Sequence, residues 1–167
     1  ALLYFFVMPK SADGYEFCGL LNFFYLSIPV IFIGAAGYLL NDFYDYDIDK
    51  INKKDTVLLR DQFTSLEIVW AYAIYNLIGL LVSFYLGENT FWLSLSNVVF
   101  LILYAHWKRV FLIGNIAVAY LCSSVILWVW IFAVERGPEI NFEKIKYYLI
   151  FSFLLSLARE IIKDIED

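Results

Sequence analysis

Charge is scarce in this chain: 17% of its 167 residues are Asp, Glu, Lys or Arg. Soluble domains carry about 25%. Cysteine and histidine are scarcer still, with only Cys18, Cys122 and His106. The two cysteines stand alone, with no CxxC and no histidine at metal-ligand spacing, so they read as ordinary small apolar residues. No basic arm or aromatic-interleaved basic patch is present, which argues against a nucleic-acid partner. Low-complexity tracts and internal repeats are also lacking. No polar linker is long enough to separate domains, so residues 1–167 are expected to form a single unit. No basic segment precedes the apolar start, which speaks against a signal peptide. Both ends read as interruptions, and a part of the molecule is expected to be missing.

Hydrophobic residues fill the space that charge leaves. They make up 62% of the chain, a fifth of it is aromatic, and the mean hydropathy is +0.72. Four runs carry no charge at all: Leu20–Leu40, Ile68–Gly87, Asn89–Trp107 and Val110–Val134. Each is near the roughly 20 residues that cross a hydrocarbon core as a helix. A fifth run, Tyr147–Ala158, is shorter and flanked by charge, as expected of a helix whose ends reach past the apolar core. Ala1–Met8 resembles the tail of one more helix. The expected fold is therefore an all-α, polytopic transmembrane bundle.

Against this background Asn41-Asp42-Phe43-Tyr44-Asp45-Tyr46-Asp47-Ile48-Asp49 stands out, with four carboxylates directly after an uncharged span. Carboxylates at a helix C-terminus oppose the macrodipole. Acids in or beside a bilayer usually pair with something positive. Residues four apart share a helix face, so Asp45 and Asp49 point together, joined by Asn41 in one stripe or Asp42 in a nearly overlapping one. A second acidic run, Arg159-Glu160-Ile161-Ile162-Lys163-Asp164-Ile165-Glu166-Asp167, closes the chain, with Asp164 and Asp167 three apart. Alternating helix directions put both clusters on the same side of the membrane. That side holds Lys50, Lys53, Lys54, Arg60, Lys108, Arg109, Arg159 and Lys163, and the other only Lys10, Arg136, Lys144 and Lys146. The positive-inside rule makes the richer side cytoplasmic.

A solvated acidic cap is the plainest reading of the first cluster. An EF-hand loop fails, because counting from Asp45 puts Lys50 where Gly belongs and Thr56 where Glu belongs. The phosphatidyl-transfer motif also fails, since Asp13-Gly14 is followed by Tyr15-Glu16 and lies on the other side. What remains is magnesium held by few carboxylates per ion and completed by phosphate oxygens.

The residues also carry a resemblance. Asn41-Asp42-x-x-Asp45-x-x-Ile48-Asp49, with Asn52-Lys53 shortly after, resembles the first aspartate-rich motif of the UbiA superfamily of intramembrane prenyltransferases. Tyr104-x-x-x-Lys108 followed by Gly114-Asn115 is similar to that family's middle signature. Arg159 to Asp167 is similar to the start of its second aspartate-rich motif, in wording closest to the branch that makes geranylgeranylglyceryl phosphate ethers. The resemblance implies a nine-helix bundle, of which this chain supplies the end of the first helix and helices two through six. It implies transfer of a polyprenyl group from its diphosphate to a lipid, glycerol phosphate or aromatic acceptor, inside a membrane. Magnesium would be held by Asn41, Asp45, Asp49, Asp164 and Asp167, with Asp42 assisting. Lys108, Lys53 and Arg60 would meet the diphosphate, and Arg159 and Lys163, four apart on one helix, would either reach the same phosphates or pair with Glu160, Glu166 or Asp167. Two departures stand out. Asn52-Lys53-Lys54-Asp55-Thr56-Val57 lacks the family's Asn-Lys-Pro-x-Arg-Pro continuation, leaving Arg60 as the substitute cation. The further Asp expected four residues after Asp167 lies beyond the chain.

Other side chains have plainer expectations. Lys108 and Arg109 also suit a positive-inside anchor, and His106 suits an interfacial polar residue. Gly34, Gly37 and Ala35-Ala36 are expected to let helices pack closely. A cation transporter, the competing class, predicts acids within the spans, and none of the four long runs carries one. A scaffold predicts no convergence of the two clusters.

Overall fold

The computed structural model of the chain describes residues 20–52, 59–107, 112–136 and 142–166. Every regular element among them is helical: α1 Leu20–Asn52, α2 Leu59–Gln62, α3 Ser65–Leu86, α4 Glu88–Trp107, α5 Ile113–Arg136 and α6 Phe142–Glu166. Four of these, α1, α3, α4 and α5, are long and apolar enough to cross a membrane. α6 has 25 residues with charge at both ends, matching the expectation for the short fifth run. The segment Ala1–Met8 lies outside the described residues.

At 1.5 Å per residue, the 33 residues of α1 run roughly 50 Å, well past a hydrocarbon core of about 30 Å. The acidic motif thus rides on the last turns of a continuous helix rather than on a loop. α1, α3 and α4 pack on one another, α4 packs on α5, and α5 on α6. The outward face of α3 exposes Trp70, Leu77, Leu81 and Phe84 at helical spacing. A lipid-facing surface has that composition.

Local chemistry sets the helix ends. Thr64 caps α3: its Oγ1 accepts from the Glu67 backbone N–H at 3.3 Å, and Glu67 Oε2 accepts from the Thr64 N–H at 2.8 Å. This reciprocal capping box satisfies two donors that the first helical turn would otherwise leave open. Gly87 alone separates α3 from α4, and a Cβ there would collide with the Glu135 carboxylate of α5. Leu26, Leu86, Leu93, Trp128, Phe132 and Ala133 form a packed core at that end of the bundle. The acidic motif lies at the other end.

Candidate active site

The last turns of α1 resolve the two overlapping stripes. Asn41, Asp45 and Asp49 are half-buried, whereas Asp42 and Asp47 are exposed. The Asn41/Asp45/Asp49 stripe is therefore the inward one. Phe43, Tyr46 and Lys50 occupy a different face of the same turns. There the Arg60 guanidinium lies over the Phe43 ring at 5.2 Å and the Tyr46 ring at 4.5 Å. The Tyr46 hydroxyl donates to Asp61 Oδ1 at 2.9 Å, which fastens α2 to the outer face of the motif. Arg60 thus meets aromatic rings away from the inward stripe.

A second wall comes from α6. Arg159, Glu160 and Lys163 line the cavity mouth opposite Asn41. Asp164 accepts a 2.7 Å hydrogen bond from Asn115 Nδ2, a largely buried amide near the start of α5. Tyr104, near the end of α4, lines the same end of the cavity. His106 stays at the rim, where Nε2 lies 3.5 Å from the Tyr44 hydroxyl and Nδ1 lies 3.1 Å from the Ile102 carbonyl oxygen.

Behind the mouth a cavity of about 570 Å³ runs between α1, α4, α5 and α6. Asn41, Tyr104, Arg159 and Lys163 stand at one end; Pro29, Ser94 and Trp128 stand at the other. The wall between is mostly apolar, with Ile33, Leu101, Leu121 and Val125. Gly37 does allow close packing, since a Cβ there would lie 2.7 Å from Leu101 Cδ2. Gly34 differs from the expectation, because a Cβ on it would meet nothing within 4 Å. It borders the open cavity instead of a helix seam.

The sequence profile of the UbiA prenyltransferase family matches residues 6–167. The chain belongs to the UbiA prenyltransferase family. Similar relatives include digeranylgeranylglyceryl phosphate synthase of Thermococcus kodakarensis, 33% identical over 83% of this chain and 48% of the relative. The protein of that name from Methanoculleus marisnigri is 35% identical over 85% of this chain and 50% of its own length. Its namesake from Methanosarcina mazei is 30% identical over 95% and 53%. The chain therefore spans about half the length of the curated relatives it matches. No solved structure matches it.

Whether this UbiA chain suits a divalent cation turns on how its acids are distributed. Among the described residues no three His, Cys, Asp or Glu side chains cluster closely enough to hold a metal ion. The acids instead divide between two helices: Asp45 and Asp49 are half-buried on α1, while on α6 Glu160 lines the cavity and Asp164 pairs with Asn115. A closed all-protein cage is absent from these residues. The arrangement fits a hard cation of magnesium's kind, which takes one or two carboxylates and completes its shell with phosphate oxygens and water. Lys53, Lys108 and Asp167 lie outside the described residues. Two side chains at the candidate site are absent from the site residues read from the sequence: Asn115, which holds Asp164, and Glu160, which lines the cavity. Both sit inside the quoted motifs, Asn115 in Gly114-Asn115 and Glu160 beside Arg159, so motif position was the available signal.

Proposed function

We propose that the protein to which this chain belongs is a magnesium-dependent intramembrane prenyltransferase. It moves a polyprenyl group from its diphosphate to an amphipathic acceptor, with a prenylated glycerol phosphate as the acceptor class its named relatives favour. The observation that carries this reading is the grouping of Asn41 of α1, Tyr104 of α4 and Arg159, Glu160 and Lys163 of α6 at one end of a largely apolar cavity. One end suits a diphosphate and the other suits an isoprenoid tail.

In this reading the tail lies in the cavity and the diphosphate sits at the mouth against Arg159 and Lys163, with Lys108 the further cation expected from the sequence motif. Asn41, Asp45 and Asp49 of α1 and Asp164 of α6 would hold magnesium, with Asp167 of the second motif as the further ligand expected from the sequence. When bound, the metal supplies positive charge against the charge that develops on the leaving diphosphate. Asn115 keeps the Asp164 carboxylate aimed at the mouth. The apolar wall keeps water from the allylic carbon after its bond to the diphosphate oxygen breaks, so that the acceptor hydroxyl oxygen forms the new bond and then loses its proton. Both charged walls belong to the cytoplasmic side of a multi-pass protein of the cell membrane, with residues 1–167 acting as one unit.

Membranes containing the full-length protein, supplied with labelled geranylgeranyl diphosphate and a panel of phenolic, naphthoate and glycerol phosphate ether acceptors, test this reading. Label is expected in a lipid product only when a divalent cation is present. A cation transporter would need acids along the depth of the cavity, and its described wall below Tyr104 carries none.

A further inference from the structure

The far end of the cavity is built with more care than a passive void requires. Trp128 lines it and is 2% exposed, with Leu26, Leu86, Leu93 and Phe132 packed around it. Its indole Nε1–H donates to Ser94 Oγ at 2.9 Å. Ser94 Oγ lies 2.7 Å from Ser83 Oγ, and Ser83 Oγ donates to the Gly79 carbonyl at 2.8 Å. Because the Ser83 proton is used on Gly79, the Ser94 hydroxyl must donate to Ser83. The result is a one-way chain, Trp128 to Ser94 to Ser83 to Gly79, across α5, α4 and α3. Buried polar networks with every member satisfied hold their side chains in a single arrangement. The indole is therefore a fixed wall.

Depth gives that wall a meaning. From Asn41 at the mouth to Pro29 at the far end, α1 descends twelve residues, or roughly 18 Å at 1.5 Å per residue. An extended isoprene repeat adds roughly 5 Å, being four bonds of about 1.5 Å in zigzag. The cavity thus matches a tail of about four repeats. Gly34, seven residues below Asn41, lies about 10 Å down, at the level of the second repeat. It is also the point where an added side chain would enter open space.

We infer that Trp128, held by Ser94 and Ser83, is the floor that measures the isoprenoid tail, and that Gly34 keeps the path to it open. The inference deepens the prenyltransferase reading and rests on it. A tail longer than the cavity must fold back or displace the indole from its hydrogen bond. A shorter one leaves apolar wall uncovered.

The test uses the full-length protein with prenyl diphosphates of two to five repeats. It reads transfer efficiency for each length, and separately the thermal protection given by the unreactive thiolo-diphosphates of the same lengths. The parent should peak at about four repeats in both readouts. Trp128→Phe, which shortens the floor residue and removes its N–H, should move the optimum up by about one repeat. Gly34→Leu should move it down to about two repeats, and it stands as an independent arm if Trp128→Phe does not fold. A parent with a clear length optimum that neither variant shifts would overturn the inference while leaving the prenyltransferase reading intact. A parent that neither transfers nor is protected at any length would remove both.

Discussion

The two ends of the bundle use carboxylates in opposite ways. At the α3–α4 turn, Glu135 Oε1 accepts the Asn89 backbone N–H at 2.6 Å, so an acid sits at the start of α4. That is where the helix dipole favours negative charge. At the other end Asp49 lies in the last turn of α1, where the dipole disfavours it. Asp45, half-buried one turn earlier, and Glu160, which lines the cavity on α6, cap no helix. The first placement serves a helix start. The second does not, and carboxylates of that kind stand on both α1 and α6.

Substitution should separate the two ends sharply. The largest effect is expected for Asp45→Asn or Asp49→Asn: prenyl transfer should fall by at least about 100-fold, the scale of losing a group that stabilises developing charge. The thermal unfolding temperature without metal should stay level or rise slightly. Next comes Asn115→Ala, which frees Asp164. Partners that orient metal-binding side chains are commonly worth about 10- to 100-fold, so a loss near the lower figure is expected, together with a raised magnesium requirement in a titration of activity. At the structural end the readout should invert. Gly87→Ala sets a methyl group against the flexible Glu135 carboxylate, which must swing off the Asn89 N–H, and should cost about 0.5–1.5 kcal/mol of stability, the worth of a hydrogen bond, with the activity of the folded fraction unchanged. The smallest effect is expected for Thr64→Ala, which opens the α3 capping box. A modest drop in unfolding temperature and an unaltered tail-length preference should be seen.

Much of this was legible because bilayer physics is coarse. Uncharged runs of about 20 residues announced the spans, and alternation put the acidic clusters on one face. The tyrosines and phenylalanine inside the first motif hid more. Nothing in the order Phe43-Tyr44-Asp45-Tyr46 tells that Arg60 stacks on Phe43 and Tyr46, or that Tyr44 meets His106. Asp42 and Asn41 differ by one position, and only packing tells which shares the inward face with Asp45. Gly34 and Gly37 look alike in the chain. Their three-residue offset turns one toward Leu101 and the other into the cavity. Trp128 was one aromatic among 34, and its hydrogen-bond partner Ser94 is 34 residues away, so the floor became visible only once α4 and α5 were side by side.

The central claim is that the acids of α1 and α6 act together on one diphosphate. A double-mutant cycle on the full-length protein tests it most directly. Affinity for geranylgeranyl thiolo-diphosphate would be measured with saturating magnesium for the parent, Asp45→Asn, Asp164→Asn and the pair. A shared site predicts strong non-additivity, with the double variant little weaker than the worse single one. Strictly additive losses, or magnesium-dependent binding undiminished in either single variant, would contradict it.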